Sequence, residues 1–213
     1  MTDAATPLLS DPAEVSRRRA LGELPHVLAL RPVIDAIRSR RGEVPDPDPL
    51  NGGADARLLL LLETPGPRIR ASGIVSQDNP SGTGRNLRAM LRAAGIARRD
   101  LIIWNAVPWI IHDPGAPNRA PRSAELREGI AELPAFLSAL PRLRVAVLAG
   151  RSAAAAEPVL SAGRPGLPIF RMPHPSPTIQ CTSPDIPARC AAALADAARI
   201  LRSASPADLG AAA

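Results

Sequence analysis

His174 stands in FRMPHPSPTI, residues 170–179, between Pro173 and Pro175 and straight after a short apolar run. The flanking prolines fix backbone dihedrals, so the imidazole has little freedom left to lose when a ligand arrives. A ring held this way can donate a hydrogen bond to negative charge as it develops. The plainer reading is a packed or turn-forming histidine. Other residues of chemical use also follow apolar runs. Glu63 opens ETPGP, Asn105 lies in WNAVPW, and Gly150, Arg151 and Ser152 open GRSA. A further loop, SQDNPSG, carries Asp78 and Asn79. Taken alone, Glu63 could simply cap the turn after it, and Asn105 could tie its loop to a neighbour. GTGRNL, residues 82–87, resembles a phosphate-binding turn but follows no obvious strand and lacks lysine, so it is a weak nucleotide motif.

The elements that must position these residues follow from apolar spacing. Residues from about 11 to 41 carry helical periodicity broken by Pro25 and Pro32, and residues 42–55, GEVPDPDPLNGGAD, read as a linker or long loop. RLLLLLE, residues 57–63, is a continuous apolar run suited to a strand buried on both faces. A helix over SGTGRNLRAMLRAAGI, a strand over residues 100–109 and a helix over residues 122–140 opened by Ser123 come next. LRVAVLAG is a third strand, RSAAAAEPVL a helix, LPIFRMP a fourth strand and DIPARCAAALADAARILRSA a closing helix. This alternation predicts an α/β fold, three layers α/β/α around a central, mostly parallel four-stranded sheet. Residues 1–56 are then an N-terminal helical segment and linker packed on the domain formed by residues 57–203, and residues 204–213 a flexible tail. In such a sheet ligands bind outside the carboxyl ends of the strands, where all the polar clusters converge.

With 213 residues, 46% of them apolar, the chain can bury one substantial core. Its 26 basic residues against 20 acidic ones give a net charge of +6, and every basic residue is arginine. The complete replacement of lysine looks like coding bias, so the basic balance is modest support for a polyanionic partner. It also excludes Schiff-base chemistry on a lysine amine. Cys181 and Cys190 are too few for a disulfide framework or a four-thiolate cluster and suit a reducing cytoplasm. The chain opens without a signal pattern and has no apolar run of membrane length, so a soluble cytoplasmic protein with no membrane partner is expected.

The order LLLLLETPGP, SGTGRNLRAML, LIIWNAVPW, NRAPRSAELREGIAELPAFLSALPRLRVAVLAGRSAA and FRMPHPSPT resembles the uracil-DNA glycosylase superfamily, especially its thermophile-type family four. The resemblance covers roughly residues 57–178 and is carried by the motifs jointly. It implies a monofunctional hydrolase that flips a deaminated base out of DNA and cleaves its bond to the sugar, leaving an abasic site. By the same resemblance His174 donates to uracil O2, Asn105 reads the base edge, and groups around Glu63 and Thr64 contact the pyrimidine. Ser152, Ser176, Arg151 and Ser81 are expected to meet DNA phosphates. Ile179, in PTIQ, is expected as an apolar wedge in the duplex, with ordinary burial the alternative.

The departures from the family carry their own expectations. Trp109 and Leu133 stand where family four has cluster-binding cysteines, so no iron–sulfur cluster, metal or other cofactor is expected, and apolar packing around Trp109 should fill its place. Thr64 occupies the position of the water-activating acid of the best-known family, and threonine is no general base near neutral pH. Asp78 is the favoured substitute, because QDNPSG resembles the family-five GDxSG turn, with Glu63 the other candidate. The region also lacks the stacking aromatic of relatives, leaving Val75 or Asn79 to contact the base. The expected partner is DNA containing uracil or abasic sites, bound by a monomer. The alternative function is a slow or non-catalytic binder of uracil or abasic-site DNA on the same fold.

Overall fold

A computed structural model describes residues 7–203, so the expected tail over residues 204–213 lies outside the described residues. The N-terminal segment forms α1 (Pro12–Ala20), α2 (Pro25–Leu28) and α3 (Arg31–Arg41). Pro12, Pro25 and Pro32 all stand in first turns, where the missing N–H costs nothing. Asp11 caps α1 by accepting the Ala13 N–H at 2.9 Å. Residues 42–55, expected as a linker or long loop packed on the domain, are mostly irregular chain. Within them β1 (Asp46–Pro47) is short, and Asp48 and Asn51 are buried.

The leucine run forms β2 (Leu58–Leu62), and β3 (Ile74–Val75) pairs in parallel with β1. After β3 come α4 (Gly82–Ala93), β4 (Leu101–Asn105), α5 (Ser123–Ala131) and α6 (Leu133–Ser138). The single helix expected over residues 122–140 is therefore two, divided at Glu132 where Pro134 cannot continue the hydrogen-bond ladder. Arg122, not Ser123, precedes the first of them. Its N–H donates to the Glu125 carboxylate at 2.6 Å. The chain ends through β5 (Val145–Ala149), α7 (Arg151–Ala154), α8 (Glu157–Gly163), β6 (Ile169–Met172), α9 (Pro177–Gln180) and α10 (Asp185–Arg202).

The main sheet is four-stranded and wholly parallel, in the order β4-β2-β5-β6. Period-two alternation sends Leu58, Leu60, Ile103, Val145 and Val147 to one face, against Leu87 and Leu91 of α4 and Leu194 and Ala197 of α10. Leu59, Leu61, Ile102, Trp104 and Leu148 face the other layer, with Phe136 of α6 and Leu160 of α8. Trp104 stacks on Phe136 with ring centroids 4.3 Å apart and planes inclined by 9°. Leu30, Ile34 and Ile37 belong to that same layer, so the N-terminal helices share the core of the α/β unit. Covering both faces is what makes five successive leucines compatible with one strand.

Candidate active site

All four strands of the main sheet end on the same side, and each delivers one polar group there. Asn105 closes β4 opposite Leu62, Glu63 follows β2, Ser152 sits in α7 just after β5, and His174 follows β6 by two residues. The chain leaves β2 toward α4 on one face and leaves β5 toward α7 and α8 on the other, so a crevice opens between these two neighbouring strands. A cavity of about 530 Å³ occupies this end of the sheet. Its walls include Glu63, Thr64, Val75, Asn79, Ser81, Asn105 and His174, with aliphatic surface from Leu62, Ile69, Leu87 and Ile103.

His174 is half-buried and its ring orientation is set locally. The Ser176 N–H donates to Nδ1 at 3.2 Å, which requires that nitrogen to be unprotonated and puts the proton of the neutral ring on Nε2. Burial pushes the imidazole below its ordinary range, while the Glu63 carboxylate pulls in the opposite direction. The Asn86 amide donates to the Pro175 carbonyl at 2.8 Å, and Gln180 Nε2 donates to the His174 carbonyl at 3.2 Å. Gly150, at φ 89°, packs under the ring: a Cβ there would lie 3.1 Å from His174 Cβ. The stiffness therefore comes from these contacts as well as from the prolines.

Asn105 is 2% exposed, lines the cavity and has no side-chain hydrogen bond among the described residues. Its amide donors and acceptor are available to a ligand entering the cavity. Asn79 also lines the cavity, but its amide is engaged: Nδ2 donates to the carbonyls of Ile74 and Ser76 at 2.9 and 3.1 Å, and Oδ1 accepts from Ser72 at 3.2 Å. That side chain shapes the loop. Ser81 caps α4 by accepting the Gly84 N–H at 3.0 Å.

Asp78 departs most clearly from expectation. It does not line the cavity and is wholly buried behind its wall. Its carboxylate is gripped by Arg18 at 2.6 Å, by Arg88 at 2.5 Å and by Arg98. Arg18, itself fully buried, also bonds Asp48 at 2.5 Å and Glu14 at 2.6 Å, while Ser76 donates to Asp48. With both oxygens committed to guanidinium groups, Asp78 is a structural anion that ties α1 to the loop after β3. Glu63 is the one carboxylate lining the cavity among the described residues.

The residues expected at DNA phosphates divide in the same way. Ser176 lends its N–H to His174, and the Ser152 hydroxyl donates to Glu63 Oε2 at 2.5 Å. Arg151 is exposed outside the cavity, and Ile179 is half-buried against the α10 layer beside the loop. Of the basic residues near the site, Arg68 reaches the cavity wall. Arg70 and Arg171 are paired with Glu43 and Glu157. Sequence reasoning missed Asn118, which enters the cavity from the loop before α5. Its signal was present in NRAP, where Arg119 pins that loop by binding both oxygens of Glu125. Trp109 and Leu133 lie in one apolar cluster, with the Arg41 guanidinium 5.1 Å from the Trp109 ring centroid. No group of His, Cys, Asp and Glu side chains among the described residues is arranged to hold a metal ion.

Over the strand ends of this three-layer parallel α/β sheet, an imidazole, an amide and a carboxylate line one cavity. Residues 49–198 match the family model of the uracil DNA glycosylase superfamily, and the chain belongs to that superfamily. Members are generally hydrolytic glycosylases of base excision repair that act on DNA. No curated protein matches the chain significantly. No helix among the described residues is long and apolar enough to cross a membrane.

Proposed function

We propose that the protein is a monofunctional glycosylase that removes uracil from DNA by hydrolysis of the N-glycosidic bond. The observation that carries this reading is the shared cavity of His174 and Asn105, in which the imidazole is fixed as an Nε2–H donor. The everted base enters the cavity and its N3–H and O4 face the Asn105 amide. The bond from N1 to C1′ breaks with both electrons leaving on the base, and the Nε2–H of His174 stabilises the charge that collects at O2. Water adds to C1′, its proton passing to the Glu63 carboxylate, and the uracil anion is protonated after release. With no lysine in the chain, no lysine imine forms, and the product is an intact strand with an abasic site. The DNA partner is bound by a monomer, chiefly through phosphates, and no cofactor takes part.

Uracil-containing single- and double-stranded oligonucleotides, incubated with the protein and then treated with alkali, test this directly. Alkali-labile product above a heat-killed control is expected, and its absence across salt conditions would refute the reading. A slow or non-catalytic lesion binder is favoured by one observation, that Thr64 and the buried Asp78 leave Glu63 alone as acid in the cavity among the described residues. That reading predicts tight binding to uracil and abasic duplexes with no single-turnover cleavage.

A further inference from the structure

Ser152 was expected at a phosphate, yet its hydroxyl points elsewhere. A serine has one hydroxyl proton, and here it is donated to Glu63 Oε2 at 2.5 Å, the length of a charge-assisted bond. That proton is unavailable to a phosphate while the bond exists. Glu63 is the acid that lines the cavity among the described residues, and its charge is felt by His174. The turn that carries Ser152 is built to close tolerance: Gly150 has a φ of 89°, and its Cα packs beneath His174. The Gly150 N–H also donates to the Met172 carbonyl at 2.9 Å, coupling this turn to the end of β6. One turn thus sets the place of the imidazole and of the hydroxyl that holds the carboxylate.

We infer that Ser152 is a positioning residue that fixes Glu63 in one rotamer by binding Oε2, leaving Oε1 to orient the attacking water. This rests on the glycosylase reading of the cavity. Water attack requires a carboxylate oxygen aimed along the line to C1′, and a flexible glutamate without the hydroxyl samples other rotamers. Ser152 itself does not line the cavity.

The experiment compares Ser152→Ala, Ser152→Thr, Glu63→Gln and the double variant Ser152→Ala/Glu63→Gln on a uracil-containing duplex. Single-turnover rates are read beside affinity for an abasic duplex and its salt dependence. Ser152→Ala should lower the rate about tenfold, an effect of one hydrogen bond's size, and change affinity less than about twofold. Ser152→Thr, which keeps the hydroxyl, should restore most of the rate. In the Glu63→Gln background the serine substitution should add less than about twofold, because the two residues act as one unit. Equal thermal midpoints confirm that each variant is folded. A fall in affinity and salt slope with the rate retained would overturn the inference in favour of a phosphate clamp, as would losses that multiply in the double variant. If the parent protein shows no turnover, the glycosylase reading fails, and the contact is judged by carboxyl 13C NMR. Ser152→Ala must then move the Glu63 side-chain resonance while Ser152→Thr leaves it near the parent position, and an unmoved resonance overturns the inference.

Discussion

A buried imidazole is a good hydrogen-bond donor only if its proton sits on the nitrogen that meets the substrate. In His174 the Ser176 N–H settles this by occupying Nδ1. Nitrogen-15 NMR near pH 7 is expected to show a neutral ring protonated at Nε2, and an Nδ1–H signal would remove the donor from the cavity. Removing the ring as His174→Ala should cost about 10²- to 10³-fold in single-turnover rate, the range for a preorganised donor at developing negative charge. Glu63 raises the His174 pKa against the effect of burial, so Glu63→Gln should lower it further. A titration of the ring resonances checks the sign.

At the scale of elements, the site is a junction between the start of α4 and the histidine loop. A Cβ at Gly82 would lie 2.3 Å from Pro177 Cγ, and one at Gly84 would lie 2.4 Å from the Asn79 carbonyl oxygen. The GTG sequence therefore serves close approach, which is why it looked like a phosphate turn without the rest of one. Gly82→Ala is expected to push the proline ring and displace the loop that carries His174. Displacements of this kind cost about 10²-fold in rate, so single-turnover kinetics should fall well beyond any change in DNA affinity. Gly84→Ala meets backbone and should destabilise by about 1–3 kcal/mol, read from denaturant unfolding.

For the whole molecule, the ion cluster around Arg18 joins α1 to β1 and to the loop after β3. Arg18, Asp48 and Asp78 have side chains with no exposure, so deleting one charge strands the others. Arg18→Met should cost about 3–5 kcal/mol in unfolding free energy. The acid response has two windows. His174 and His112 are both held below the ordinary imidazole pKa by burial, and neither ring nitrogen of His112 has a partner among the described residues. The unfolded chain therefore binds protons first, and stability falls as pH drops below about 6.5. His112→Leu should reduce that loss in thermal melts between pH 7.5 and 5. Glu14 and Glu125 are held at about 2 by hydrogen bonds from Arg17 and Arg119, so their contribution persists above 4.5 and disappears as pH falls toward 2.

By itself the sequence determined the strand–helix alternation, the burial of β2 on both faces and the strand-end positions of Glu63, Asn105 and His174. Those properties follow from local periodicity and from the rule that parallel strands present their carboxyl ends to one side. It could not determine which acid faces the cavity. Local pattern favoured Asp78 over Glu63, and only the arrival of Arg18 from about sixty residues earlier, with Arg88 and Arg98, holds Asp78 behind the cavity wall. The pairing of β1 with β3 was likewise decided by tertiary contact, whereas the break between α5 and α6 at Glu132 follows from Pro134, a local signal. A carboxylate takes its role from the charges that fold around it, and those come from parts of the chain that no local pattern joins.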